Sequence, residues 1–350
     1  MNALRWFLFP FAFLYGLITA LRNFLFDHGI LRSTRYSVPV VAIGNLSMGG
    51  SGKSPMTEYL VRLLEENHSI GIVSRGYGRK TQGVREVTVS SIAKEVGDEP
   101  LQFKTKFPSL PIWVSEQRTK GIEALLASAP STNLVLLDDA FQHRQVDPSL
   151  SILLMEYKDA IDSQYPLPMG RLREWLSGIE RADVVVITKC PKVLSRDEQT
   201  RIQKRLKLSN DTALYFSSIE YGNLRSLKRV GPNTELNKNM SALVFTGIAN
   251  PDPLIKHLKS KVKAVQSMRF KDHHAFSKTD LESIQAAFES MPGDEKILIC
   301  TEKDSMRLKD PDLMLHLEKL PLYYLPIETQ IQPSVSIGFD ERIHLLLTNR

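Results

Sequence analysis

The residues most able to do chemistry stand in VVAIGNLSMGGSGKSP, Val40 to Pro55. An apolar run passes into a glycine-rich turn, then Lys53 and Ser54, then a stretch with helical periodicity. Strand, turn and helix in that order are what a phosphate-binding loop requires. Gly49, Gly50 and Gly52 let backbone N–H groups turn inward around an anion, with Ser47, Met48 and Ser51 completing the cradle. A helix opening near Ser54 adds its positive end. Lys53 brings a point charge to the β- and γ-phosphates, and the Ser54 hydroxyl is a ligand for Mg²⁺. The strict spacing GxxxxGK[ST] asks for glycine at position 47, where this chain has Ser47.

A matching acidic element lies in NLVLLDDAFQHR. Its apolar residues end in Asp138 and Asp139, which places carboxylate at the carboxyl end of a buried strand. That is where enzymes with such a loop hold Mg²⁺. Asp98 follows Gly97 and precedes Glu99-Pro100, so it is expected at an exposed turn; His273 sits in a polar cluster, KDHHAF, far along the chain. In GRLRE, Arg171 and Arg173 accompany Glu174, and an arginine there would stabilise charge on a transferred group. SRGYGR offers Arg75 and Arg79 to grip phosphate, with Tyr77 to stack on a ring. Thr188-Lys189 and TEKD each follow a strand, but neither is the base-reading NKxD; Glu302 and Asp304 read as helix-start acids.

These groups need a rigid frame. Apolar runs at Val38–Ile43, Ser69–Ser74, Asn133–Leu137, Ser151–Met155, Val184–Thr188, Ala242–Thr246 and Lys296–Cys300 are apolar on successive residues, as expected of parallel strands covered on both faces. Helix-like segments such as Met56–Glu66, Gly121–Ser128 and Arg196–Leu206 lie between them. The fold class is therefore α/β, doubly wound and mainly parallel, in two α/β lobes. With 350 residues the chain is long enough for about two domains. YPLPMG, Tyr165–Gly170, is the expected boundary, giving a leader at 1–30, a nucleotide lobe at 31–165 and a second lobe at 166–350 whose end packs back on the first. The polar stretch Tyr221 to Met240 is expected to form loops.

Trp6 to Leu21 carries no charge over 16 residues, flanked by Arg5 and Arg22. That falls just short of the roughly twenty needed to span a bilayer. A cleaved signal peptide and a buried core helix compete with a short membrane anchor, the favoured reading. The formal charge of +6 favours anionic partners without choosing among them, and no Lys/Arg run interleaved with aromatics argues for nucleic acid. Cys190 and Cys300 each follow an apolar run, outside any CxxC, and read as buried free thiols.

The loop resembles the GGxGK[ST] variant of ParA/MinD-type and signal-recognition nucleotide-binding proteins, with Met48 where those often carry a further lysine. IGNLSMGGSGKSP, SRGYGR, GDEP, LLDDAFQHR, GRLRE, DHHAF and TEKD, in that order, are together similar to the tetraacyldisaccharide 4′-kinase family of the lipid A pathway. The match spans almost the whole chain. Ala140 departs from it, standing where the family usually has glycine, which matters only if that backbone needs positive φ. The resemblance implies transfer of the ATP γ-phosphate to the 4′-hydroxyl of tetraacyldisaccharide 1-phosphate, at the cytoplasmic face of the inner membrane of a Gram-negative bacterium. It implies an acid–histidine pair at Asp98 and His273, and Glu174 beside Asp138 around Mg²⁺. ATP over GTP rests on it alone. A lipid disaccharide and a membrane surface are the expected partners, with no nucleic acid and no obligate protein partner. The rival is a membrane-associated P-loop NTPase switch that hydrolyses nucleotide without phosphorylating a lipid.

Overall fold

Long apolar runs that cannot face water on either side become the centre of a nine-stranded sheet. In the computed structural model, which describes residues 6–162, 164–227, 235–317, 320–333 and 337–348, this sheet contains β1 (Val40–Asn45), β2 (Ile70–Ser74), β3 (Arg85–Glu86), β4 (Ile112–Val114), β5 (Leu134–Leu137), β6 (Leu150–Glu156), β7 (Val184–Thr188), β8 (Ala213–Tyr221) and β14 (Ile327–Ile331). Their order is β14-β8-β7-β6-β1-β5-β2-β4-β3. Every pair from β8 to β4 is parallel, and only the edge strands run antiparallel. Four intervening helices matter here: α2 (Lys53–Leu64), α3 (Asp98–Lys106), α4 (Arg118–Ser128) and α5 (Arg196–Leu206). One face of β1 and β5 packs Val41, Ile43 and Leu136 against Leu60 and Leu64 of α2; the other packs Val40, Ala42 and Leu137 against Ile122 and Leu125 of α4.

The second sheet is smaller, in the order β11-β10-β12-β13-β9. It comprises β9 (Arg225–Ser226), β10 (Ser241–Thr246), β11 (Ala264–Arg269), β12 (Lys296–Thr301) and β13 (Leu322–Leu325), with α6 (Asp252–Lys261), α7 (Lys278–Glu289) and α8 (Glu302–Leu308) between strands. After β13 the chain returns to the first sheet through β14 and ends in α9 (Phe339–Thr348), whose Phe339 and Ile343 join the first core.

The division between sheets falls after β8, not at Tyr165–Gly170: β7 and β8 belong to the first sheet. The Pro- and Gly-rich hexapeptide is no linker. It folds into a strap under the phosphate loop, where Gly170 N–H donates to Pro166 O and Leu172 bridges Ser47. Of the expected polar segment, most of the described residues are open chain, but it begins on β8 and contains β9, and residues 228–234 lie outside the described residues. Both cysteines are buried and free.

Helix α1 (Phe9–Asp27) stands apart from both cores. Among its residues only Ala12 and Gly16 are buried, while Phe11, Leu14, Leu17, Ile18 and Leu21 face outward. Only 11% of its apolar window is buried, which rules out the core-helix reading; the helix is long and apolar enough to cross a membrane. Arg5, the expected flank, lies outside the described residues.

Candidate active site

Strand β1 delivers its chain to the glycine turn at the sheet's carboxyl edge, where β1 lies between β5 and β6. Ligands of α/β sheets bind at such edges. Gly49 and Gly52 have φ of 113° and 85°, backbone that side chains strain to adopt. A Cβ on Gly49 would sit 2.4 Å from the Arg171 guanidinium. Position 47 does not need glycine: Ser47 is outside the positive-φ set, and its Oγ donates to Asp159 Oδ2 at 2.9 Å. Thr188 Oγ1 fastens the loop from β7 by donating to Ser51 O at 2.8 Å. The buried Ser51 hydroxyl has no partner among the described residues.

Lys53 lies folded back along the loop, 9% exposed. Its ammonium donates to Asn45 Oδ1 at 3.3 Å and lies 3.5 Å from Asp139 Oδ1. Asp139 also holds Arg173 at 3.2 Å. Burial raises the Asp139 carboxyl, yet Lys53, Arg173 and Arg118 hold it below its ordinary value. Asp139, with φ of 49°, takes the left-handed position that the resemblance put at issue for residue 140. Ala140 is not among the positive-φ residues, so its methyl costs nothing.

Asp138 is wholly buried. Ser74 Oγ donates to its Oδ2 at 2.9 Å, while Oδ1 has no partner among the described residues. Burial, then Glu99 and Asp139, push its carboxyl up to about 7. Ser54 Oγ donates to Glu99 Oε1 at 2.9 Å. An orphaned carboxylate oxygen among serine and carboxylate oxygens suits Mg²⁺, which takes oxygen donors and needs only one or two protein carboxylates beside substrate phosphates. No group of three or more His, Cys, Asp or Glu stands ready to bind a metal alone among the described residues.

The second lobe closes the acid side of this site. Asp98 is not at an exposed turn; it opens α3, 4% exposed. The Arg307 Nε donates to Asp98 Oδ2 at 3.1 Å and Nη2 bonds to the same oxygen. His273 Nδ1 lies 3.4 Å from Asp98 Oδ2, and the Tyr77 ring stands 4.9 Å from the imidazole. Burial alone would raise the Asp98 carboxyl, but His273, Lys303 and Arg307 hold it well below the carboxylate range. Lys303 Nζ bonds to Glu99 Oε1, so α8 sends one cation to each of the two acids that open α3.

The expected residues thus fall into groups. Lys53, Ser54, Asp138, Asp139, Arg173 and the 47–52 loop share one edge, and Asp98 with His273 adjoins it through Glu99. Glu174 is placed otherwise: its oxygens take Arg181 at 2.9 Å, Asn23 at 2.6 Å and Gln142 at 3.2 Å. Arg79 bonds to Glu116 and to Gly83 O, and Arg75 is exposed. Sequence reasoning missed Glu99, Lys303, Arg307 and Gln142. Glu99 and Lys303 sat inside quoted motifs, where their neighbours drew the attention: Asp98 as one of the acid–histidine pair, and the carboxylates flanking Lys303 as helix-start acids.

A phosphate loop on a parallel sheet, a buried carboxylate at the next strand end and a second lobe supplying histidine and cations define a P-loop nucleotide-binding protein of the kinase type. The family model for tetraacyldisaccharide-1-P 4′-kinase matches residues 4–344, and the chain belongs to that family. A tetraacyldisaccharide 4′-kinase of Flavobacterium johnsoniae is 45% identical over 94% of this chain and 93% of its own length. One from Bacteroides thetaiotaomicron is 42% identical over 97% and 92%. Among solved structures, the Aquifex aeolicus LpxK crystallised with ATP superposes with a TM-score of 0.75 at 29% identity, covering 99% of both chains.

Proposed function

We propose that this kinase transfers the γ-phosphate of ATP to the 4′-hydroxyl of a tetraacyldisaccharide 1-phosphate, with the two lobes dividing the work. The acceptor oxygen bonds to the γ-phosphorus as the bond to ADP breaks, and the hydroxyl proton leaves on a carboxylate. The first lobe holds the triphosphate: loop amides and the Ser51 hydroxyl receive it, and Lys53 turns from Asp139 to the β/γ oxygens. Asp138 and Ser54 would hold Mg²⁺, which when bound neutralises phosphate charge. Asp98 orients the acceptor hydroxyl and takes its proton, with His273 fixing the carboxylate. Its low basicity suits a loose transition state, where the nucleophile needs positioning more than early deprotonation. Arg173 stands ready to meet charge on the transferred group. Tyr77, packed on His273, would border the sugar. The exposed apolar face of α1 supports a site beside a membrane, and we assign it to the cytoplasmic face of the inner membrane, where ATP is available.

The observation that carries this reading is the approach of Asp98 and His273, from different lobes, beside a loop serine bound to Glu99. Incubation with γ-labelled ATP and the tetraacylated acceptor should place label on lipid. Label released only as free phosphate would make the protein a hydrolytic switch. Asp98→Asn and His273→Ala should lower kcat by about 10²–10⁴ while ATP affinity is unchanged. Near-normal turnover in both would remove the pair from the chemistry.

A further inference from the structure

Among the described residues, helix α1 has an exposed outer face and an inner stripe with specific partners. Ala12, Tyr15, Gly16, Thr19 and Asn23 recur at helical spacing along that stripe, each buried or half-buried. A helix that served only to hold the protein on lipid would need no polar contact there. Yet Tyr15 Oη donates to Arg173 O at 3.0 Å, and Asn23 Nδ2 donates to Glu174 Oε2 at 2.6 Å. Gly16 lies so close to Trp175 that a Cβ would stand 2.4 Å from the indole nitrogen. The Phe13 ring meets the same indole edge-on at 6.5 Å. Three consecutive residues, 173–175, are therefore gripped by one helix.

The opposite side of that strap is the phosphate loop. Arg173 N–H donates to Leu46 O at 2.7 Å, and Met48 N–H to Arg171 O at 2.7 Å. Ser47 pairs with Leu172 as an antiparallel bridge, and Arg171 Nε returns a bond to Met48 O at 3.0 Å. Gln142 extends the tie: it donates to Asn45 O at 2.9 Å and to Glu174, and accepts from Arg173. The strap thus runs beside the loop through an isolated antiparallel bridge, with the loop on one side and α1 on the other.

We propose that Tyr15, Gly16 and Asn23 are positioning residues for the phosphate loop: α1 presses the 171–175 strap against residues 46–48 and so sets the cradle. The membrane helix is then part of the nucleotide site's scaffold. This rests on the reading of that loop as the ATP site, and a wild-type protein that binds no ATP refutes that reading first.

The test uses full-length protein in detergent, with ATP affinity measured by calorimetry and membrane binding by sedimentation with phosphatidylethanolamine/phosphatidylglycerol vesicles. Gly16→Leu adds bulk against Trp175 while improving helix propensity, so helix loss is not its effect. It should weaken ATP binding by about tenfold or more, since small misplacements of site groups are costly, with vesicle binding unchanged. Adding Trp175→Ala to Gly16→Leu makes room and should restore most of the ATP affinity. An ATP affinity in Gly16→Leu within about twofold of wild type, well inside the loss that misplacement brings, overturns the proposal. So does parallel loss of vesicle binding, which would mean the helix had detached as a whole. Should Gly16→Leu not fold, the double variant Tyr15→Phe/Asn23→Ala is read in the same way, and unchanged ATP affinity there overturns the proposal equally.

Discussion

Asp138 holds a conflict that only a ligand resolves. It is wholly buried, keeps one oxygen without a partner among the described residues and is pushed up to about 7 by burial and by its neighbours Glu99 and Asp139. A carboxyl raised in the folded state binds its proton more tightly there than in the unfolded chain. Its stabilising effect is therefore full below about pH 4 and disappears as pH rises through about 7. Asp138→Asn should accordingly melt higher than wild type at pH 8 without ligand, by on the order of 5 °C. It should also lose the magnesium-dependent part of the stabilisation given by ATP, a part that in wild type shrinks from pH 8 to pH 6. Melting curves at both pH values, with and without MgATP, decide this; an asparagine variant that melts lower yet keeps the full MgATP shift contradicts it. Asp138 and Lys53 were legible because strand, turn and carboxylate are local patterns. Lys303 and Arg307 were not, because their partners Glu99 and Asp98 lie 204 and 209 residues away. No spacing rule connects residues that far apart.

Helix α8 shows how one short element can carry two kinds of information. Its TEKD start caps as the acids suggest: Thr301 Oγ1 accepts the Asp304 N–H at 3.1 Å. The same turn aims Lys303, and one turn later Arg307, at the start of α3. Arg307 also bonds to Gly247 O and Asp304 Oδ1, both at 2.8 Å. Arg307→Met would leave Asp98 and Asp304, both buried, without their shared cation, at about 3–5 kcal/mol. Urea denaturation should show that loss. Arg307→Lys should recover only a minor part, because a single ammonium lacks the guanidinium fork; full recovery would show that charge alone matters. Elements were legible in proportion to their burial. β1, β5, β6, β7, β10 and β12 stood out as unbroken apolar runs, whereas β11 is mostly exposed and β14 is an edge strand of mixed burial. Such strands form because neighbours offer a ladder, which their own residues do not announce.

At the scale of the molecule, the expected boundary erred because proline and glycine mark tight turns as readily as linkers, and here the turn builds the site. Beside the Asp98–Arg307 and Glu99–Lys303 pairs, a further charged cluster that no local pattern displays joins the lobes. Lys106 of α3 reaches Glu58 of α2 at 2.7 Å and Glu302 of α8 at 2.8 Å, and Gln102 donates to the same two acids at 2.7 and 3.2 Å. The phosphate-loop helix, the acid helix and the second lobe meet at this one ammonium. Burial pushes Glu302 up to about 7; Lys106 opposes that rise and Glu58 adds to it. Lys106→Met leaves two buried carboxylates facing each other, a loss of about 3–5 kcal/mol when both are ionised. Protonating Glu302 relieves the repulsion, so the penalty should grow as pH rises from 6 to 8. Because the Lys106–Glu302 pair lies between lobes, thermal unfolding should divide into two steps, with MgATP raising only the step that contains the phosphate loop. Adding Glu302→Gln should return part of the lost stability and flatten its pH dependence. A single melting step in Lys106→Met, displaced equally at both pH values, would place the coupling of the lobes elsewhere.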